Sequence, residues 1–429
     1  MNNSSNTFLG TPFKWVLLVH TASLLLCVFF LIVNPAFSKE PPAKDVKWVG
    51  TWGTARQLVE RNNMPPAPGL TNNTLRQVVC VSIGGKNLRL RFSNEFSKSP
   101  VTMKVVQIAV SKGGNVIDEA TTKQLKFNGK DEITMEPGGE AMSDPIAFDL
   151  KPRELVAITI AFGETSETVT GHPGSRTTSY ILTGNQTAPN TDYTTAVPAE
   201  HWYVITGIDV ENSKKNAGSV VTFGDSITDG RGSGTNKQDR WPDILAMDLL
   251  KNKATRNVGV LNMGIGGNAV LRGGLGPYAI SRFEHDVLKQ SGIKWLIIFE
   301  GTNDIGGAAR RDSATISKIA TDLIAAFDKM ITEAHAKGIK VYGATITPFK
   351  KNGYYSANSE RTRQKVNEWI RTSGKYDAVI DFDKITRDTA DPEIMSETFV
   401  PGPNANDHLH LNEVGYKTMG DSIDPALFE

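Results

Sequence analysis

Four short polar blocks carry the side chains used in acyl transfer. Phe223-Gly224-Asp225-Ser226-Ile227-Thr228-Asp229-Gly230 holds a serine just past an apolar run, where the chain must turn toward a helix. A serine there can be a nucleophile if a base takes its proton; a Ser/Asp pair is equally an ordinary turn cap. The block is not the G-x-S-x-G elbow, because no glycine stands two residues after Ser226. The base follows by elimination among seven histidines. His20 falls in the apolar leader, His285 and His335 among the charges of helix patterns, and His172 and His201 in a stretch read as linker. His408 and His410 remain, inside Asn406-Asp407-His408-Leu409-His410-Leu411-Asn412. Asp407, in a tight loop before His410, could fix the tautomer of the imidazole as the third member of a triad. The same block could instead cap the following helix, or bind a metal through Asp407, His408 and His410. Two histidines at i,i+2 with one carboxylate lack the distant ligand motif of a zinc site.

The other two blocks offer donors for a developing negative charge. Gly301-Thr302-Asn303-Asp304 presents an amide side chain, and the glycines of Asn262-Met263-Gly264-Ile265-Gly266-Gly267-Asn268 allow a backbone N–H to face the same point. That glycine block departs from G-x-G-x-x-G and lacks the acidic partner, so it does not read as a dinucleotide site. Asp225 and Asp304 read as caps or turn supports. Tyr354 and Tyr355 form either a stacking wall for an acyl or sugar group or a pair of surface aromatics on a loop.

The elements that must position these blocks divide the chain in two. Over 45–200 the pattern is β: Thr74–Ser82 and Leu88–Phe92 flank a hairpin signal, and Val101–Ser111, Gln124–Phe127, Asp131–Met135, Ile146–Leu150 and Leu155–Phe162 follow between Gly- and Pro-rich turns. This predicts an all-β sandwich or jelly-roll-like domain. Residues 163–215 are rich in Thr, Ser, Gly and Asn and read as a linker with an ordered return segment. From Ser219 the apolar runs Ser219–Phe223, Val258–Met263, Lys294–Phe299, Lys340–Ile346 and Ala378–Phe382 alternate with helix patterns at 240–251, 281–290, 315–337, 359–372 and 415–427. Alternating β and α predicts a parallel sheet with helices on both faces over 217–429, whose site lies beyond the carboxyl ends of the strands. The polar blocks fall there.

Composition narrows the function class. The chain has 429 residues, 39% hydrophobic and 22% charged, with 47 Lys+Arg against 46 Asp+Glu. A net charge of +1 offers nothing to neutralise phosphates, so nucleic acid is not an expected partner. Two cysteines cannot build a disulfide framework. Residues 1–38 contain one charge, Lys14, and an apolar run from Trp15 to Val33, followed by Asn34-Pro35-Ala36-Phe37-Ser38. They read as a signal peptide cleaved near Ser38, which implies a secreted or periplasmic protein; a membrane is a partner only if the segment stays on as an anchor. Cleavage would leave one thiol, Cys80, in an apolar strand where a buried, inert role is expected, and would bring the formal charge to zero.

Together the four blocks resemble the SGNH (GDSL) hydrolase family, through Ser226, Gly267, Asn303 and His410 in matching order and strand placement. The resemblance covers about 217–429. Stretches such as GDSITDGRGS, RWPDIL and EGTNDIG look like a branch of secreted acylhydrolases in which a β domain precedes the hydrolase domain, and TWGTA from Thr51 with TLRQ…GGKNLRLRFSNEF fits its amino-terminal part. The resemblance implies a three-layer α/β/α domain with a flavodoxin-like parallel sheet. It implies Ser226 attacking an ester carbonyl, His410 as base, Asp407 orienting it, and an oxyanion hole from Ser226 N–H, Gly267 N–H and the Asn303 amide. It implies no cofactor and no metal. Ala269 stands where relatives often carry Arg, and Leu411 where they often carry Pro; the first could reshape the acyl or alcohol pocket. The expected function is a serine esterase deacylating a carbohydrate or another small ester. Lipase, lysophospholipase or arylesterase activity is the alternative within the same chemistry. A glycan-binding protein with an idle hydrolase site is the alternative outside it. Substrate and oligomeric state are not set by the sequence.

Overall fold

Leu88, Leu90 and Phe92 alternate with Arg89 and Arg91, the pattern of a strand with one buried face. A computed structural model describes residues 47–402 and 406–429, and the expected signal peptide lies outside the described residues. Those three apolar side chains are buried in the strand Gly85–Ser93. Its sheet is antiparallel, ordered Trp48–Gly53, Ile205–Glu211, Gly85–Ser93, Ile146–Leu150. A second antiparallel sheet is built around Thr74–Cys80, Leu155–Phe162 and Val101–Gly113. Val49, Leu90, Phe92 and Ile208 of the first sheet share one hydrophobic core with Leu75, Val106, Ile158 and Ile160 of the second, the arrangement of a β-sandwich.

The polar stretch 163–215, read as a linker with an ordered return segment, contributes five strands to the antiparallel region. It holds Thr170–His172, Ser179–Leu182, Val197–Ala199, Trp202–Tyr203 and Ile205–Glu211. The last runs between Trp48–Gly53 and Gly85–Ser93, so the antiparallel region continues to Glu211. Its Ser and Thr side chains conceal this by bonding inward: Ser179 Oγ donates to His201 O at 2.7 Å, and Thr170 Oγ1 accepts from Phe96 N at 2.8 Å.

The carboxy-terminal half is a five-stranded parallel sheet. In chain order its strands are Gly218–Gly224, Val258–Gly264, Ile293–Phe299, Lys340–Ala344 and Ala378–Ile380. In space the second lies outermost beside the first, followed by the third, fourth and fifth, so the order reverses around the first strand. Alternate side chains serve opposite layers. Val221, Phe223, Leu296 and Ile298 pack with Leu323, Phe327 and Met330 of the helix Ser313–Ala336. Val220, Trp295, Ile297 and Phe299 pack with Trp241, Leu245 and Leu249 of Trp241–Lys251 and with Tyr416 and Met419 of Glu413–Asp421. This is a three-layer α/β/α domain. The helix expected over 281–290 is instead Ala279–Phe283 running into a π turn, Glu284–Leu288.

The two halves meet along Trp48–Gly53 and Val258–Gly264. A Cβ on Gly259 would sit 1.9 Å from the Gly50 carbonyl oxygen, so the contact needs glycine there. Val260 N donates to Ser82 Oγ at 2.9 Å, and Ala55 lies in the core of the α/β half.

Candidate active site

The first parallel strand ends at Gly224, where a Cβ would meet Thr228 Oγ1 at 2.1 Å and the Phe299 carbonyl oxygen at 2.7 Å. Glycine lets the chain turn in that space. Asp225 then caps the four-residue helix Ser226–Asp229 by accepting from Ile227 N at 2.9 Å. Ser226 is the first residue of this helix, so its N–H has no carbonyl within the helix to donate to.

The Ser226 hydroxyl lies 2.7 Å from His410 Nε2. His410 Nδ1 lies 2.6 Å from Asp407 Oδ2. Asp407 Oδ1 accepts from His410 N at 2.9 Å and Leu409 N at 3.1 Å, which folds the loop back on itself, with His408 at a φ of +52° making the turn. Burial raises the Asp407 carboxyl, but the hydrogen bonds from His410 and the loop amides outweigh it and hold the group well below the usual carboxylate range. An anion at Nδ1 keeps a proton on that nitrogen and leaves the Nε2 lone pair facing the serine hydroxyl. Both ring nitrogens of His410 are therefore engaged, and a metal could take one only by displacing Ser226 or Asp407.

Asn303 is the second residue of the helix Thr302–Gly307 beyond the third strand. Its Nδ2 donates to Asn268 O at 2.8 Å and lies 3.5 Å from Asp225 Oδ2. Tyr354 OH donates to Asn303 Oδ1 at 3.0 Å, which fixes the amide with its NH₂ toward the Ser226 turn. Tyr354 is half-buried and not a bare surface aromatic: its ring covers Gly306, where a Cβ would lie 2.0 Å away. Tyr355 donates to Glu393 at 2.7 Å. Gly267 has a φ of +70°, and its carbonyl accepts from Leu275 N at 2.9 Å. Asp304 accepts from Val270 N at 2.8 Å and Leu271 N at 3.0 Å, holding the glycine block to the asparagine block.

Two residues outside the motifs tie the site together. Arg282 is buried, and its guanidinium donates to Gly224 O at 3.0 Å, Met263 O at 2.7 Å and Asn268 Oδ1 at 3.0 Å, with Glu300 at 3.3 Å and Asp286 at 3.1 Å. It joins the ends of the first three parallel strands. The only sequence signal was an arginine four residues before Asp286 amid Ala279, Phe283 and Val287. His172, set aside as a linker histidine, is buried with Nε2 2.9 Å from Asp229 Oδ1 and Nδ1 2.7 Å from Ala55 O. It joins the β region to the helix that carries Ser226. His335 sits half exposed on Asp377, as a solvated helix face predicts. His285 departs from that reading: it bonds Glu140 at 2.7 Å, across to the β region. Cys80 is a buried free thiol that burial pushes up to about 11.

Residues 222–418 match the GDSL-like lipase/acylhydrolase family. No curated protein matches the chain. Among solved structures, the chain is similar to a member of the lipolytic protein G-D-S-L family from Veillonella parvula, at 22% identity and a TM-score of 0.33 over 48% of this chain and 96% of that one. It is similar to a GDSL-like lipase from Bacteroides thetaiotaomicron, at 19% identity and a TM-score of 0.36 over 50% and 90%. It is also similar to a carbohydrate acetylesterase from Sinorhizobium meliloti, at 16% identity and a TM-score of 0.34 over 47% and 94%.

Proposed function

We propose that the chain is a carboxylic ester hydrolase, a reading supported by the match of residues 222–418 to the GDSL-like lipase/acylhydrolase family, and that it works through a Ser226–His410–Asp407 triad on acyl esters of carbohydrates. The observation that carries the mechanism is the continuous chain of contacts from Ser226 Oγ to His410 Nε2 at 2.7 Å and from His410 Nδ1 to Asp407 Oδ2 at 2.6 Å. Ser226 Oγ attacks the ester carbonyl as its proton passes to His410 Nε2. The tetrahedral oxyanion is met by Ser226 N–H, Gly267 N–H and the Asn303 amide. Collapse expels the alcohol, which takes the proton from His410 and leaves an acyl-serine. A water repeats the sequence and frees the acid. Asp407 stays ionised throughout and balances the imidazolium. Losing one oxyanion donor typically costs about 3 kcal/mol of barrier.

The leader at 1–38 supports export, so we place the reaction outside the cytoplasm as part of the same proposal. Ser226→Ala should lower kcat on 4-nitrophenyl acetate by roughly 10⁴-fold or more, with an unchanged thermal transition. Retained turnover in the folded variant would exclude the mechanism. Acyl-chain preference separates the carbohydrate reading from a lipid one: acetyl esters should be favoured over chains of about eight carbons in the first case and disfavoured in the second.

A further inference from the structure

Beside Asn303 the structure opens a cleft of about 790 Å³, of which the proposed mechanism uses only Asn303. It lies within the size range of small-ligand sites. Ala269, Arg272, Asn303, Arg311, Thr315 and Lys318 line it. Asn303, the proposed oxyanion donor, and Ala269, with only a methyl side chain, both line it, which places one wall of the cleft at the proposed oxyanion hole.

The charges in the cleft do not cancel. Lys318 is paired with Asp322 at 2.6 Å. Both oxygens of Asp304 are taken by the Val270 and Leu271 amides. Arg272 and Arg311 remain, carried by two separate segments, and neither is within ion-pair distance of a carboxylate among the described residues. A guanidinium fork matches a carboxylate in shape and charge. The apolar side chains of the lining, Leu271, Ala308 and Ile319, are interspersed with Thr315, Asn303 and the arginines. Such a wall suits a sugar ring better than an acyl tail. The whole chain carries a formal charge of only +1, so attraction to an anion here is local and not a long-range field.

We propose that this cleft binds a uronate residue of the substrate, with Arg272 and Arg311 holding its carboxylate while the acyl group lies at Ser226. The proposal rests on the esterase reading of Ser226 and names its substrate class: acylated acidic saccharides.

Two measurements separate the cleft from the chemistry. Calorimetric titration of the Ser226→Ala chain with trigalacturonate and with neutral galactotriose reads the cleft alone. Trigalacturonate should bind roughly tenfold tighter, and the difference should vanish when Arg272→Gln and Arg311→Gln are added or at high salt. Equal binding of the two trisaccharides, or a preference that survives both substitutions, overturns the proposal. The active chain is then given an acetylated methyl galacturonide and the matching methyl galactoside. The kcat/KM ratio should favour the acid by about the same factor and fall toward one in the double variant. Uronate binding without acetate release from either ester leaves the cleft standing and removes the esterase reading. Equal release from both removes the cleft and leaves that reading. Preferential release of fatty acid from an anionic lysophospholipid, with both sugars silent, assigns the arginines to a phosphate and overturns the uronate.

Discussion

Asp225 is where electrostatics and geometry pull against each other. Its carboxylate caps the helix of Ser226 and faces Asn303, yet burial pushes it up to about 7. Its neighbours add to the crowding: burial, then Asp225 itself, raises Glu300 well above its ordinary value, and burial raises Asp304. The folded state therefore holds a proton on Asp225 up to about pH 7, whereas the unfolded chain releases it near 3.8. Between those values the native state binds more protons, so this group takes stability away as pH rises from about 4 through 7. Asp225→Asn keeps an acceptor for Ile227 N–H and removes the titration. Its Tm should vary less between pH 4 and 7 and exceed the parent's at pH 8, with the residual slope belonging to Glu300 and Asp304. Its kcat should fall, because an amide NH₂ in place of the carboxylate oxygen faces the Asn303 NH₂. A Tm profile parallel to the parent's would show that Asp225 stays ionised across the range.

At the scale of elements, the site depends on three strand ends being held in register, and Arg282 holds them. Its guanidinium satisfies carbonyls of the first and second strands and pairs with Glu300 at the end of the third. Arg282→Met keeps much of the side-chain volume but leaves Asp286, whose carboxyl is held low, buried without its arginine. Removing one partner of a buried pair typically costs about 3–5 kcal/mol. Denaturant unfolding should show a loss of that order, and adding Asp286→Asn should recover part of it. A loss below about 1 kcal/mol would mean that His285 alone holds Asp286 and the clamp is unnecessary. This clamp also marks the limit of the sequence reading. Ser226 and Asn303, just past apolar strand patterns, and Asp407 and His410, in a polar block before the last helix, were legible as candidates because their side-chain types are those acyl transfer uses. The parallel strands were legible because burial on both faces leaves unbroken apolar runs such as Lys294–Phe299. Arg282 was not, since an arginine in a helix pattern reads as solvated, and its partners include a backbone carbonyl 58 residues away. His172 was hidden likewise, in a polar stretch whose hydroxyls turn out to bond inward.

For the whole molecule, the question is whether the antiparallel and parallel halves are separate folding units. Chains of this length commonly unfold in stages. Here Asp45–Glu429 is one compact unit, and the seam between the halves is bonded along its length. Gly50 N donates to Ser291 O at 3.0 Å, Ser291 Oγ to Asp209 at 2.7 Å, and Arg91 to Gln290 at 2.7 Å. At the Ser226 end, His172 Nδ1 lies 2.7 Å from Ala55 O and its Nε2 lies 2.9 Å from Asp229 Oδ1, so the imidazole bridges the two halves. Parting the halves would expose Leu261 and Met263, which pack against Gly50 and Gly53. It would also leave Asp229 bare one turn from Ser226. Neither half gains by surviving alone, so residues 45–429 should unfold in one calorimetric transition, with a calorimetric to van 't Hoff enthalpy ratio near one. Gly259→Ala, whose methyl meets the Gly50 carbonyl at 1.9 Å, strains the seam and nothing else in the α/β half. It should lower that single transition by roughly 1–3 kcal/mol of stability without splitting it. Two resolved transitions in the parent, or a variant in which only the first of two moves, would show that the sandwich and the α/β half fold independently.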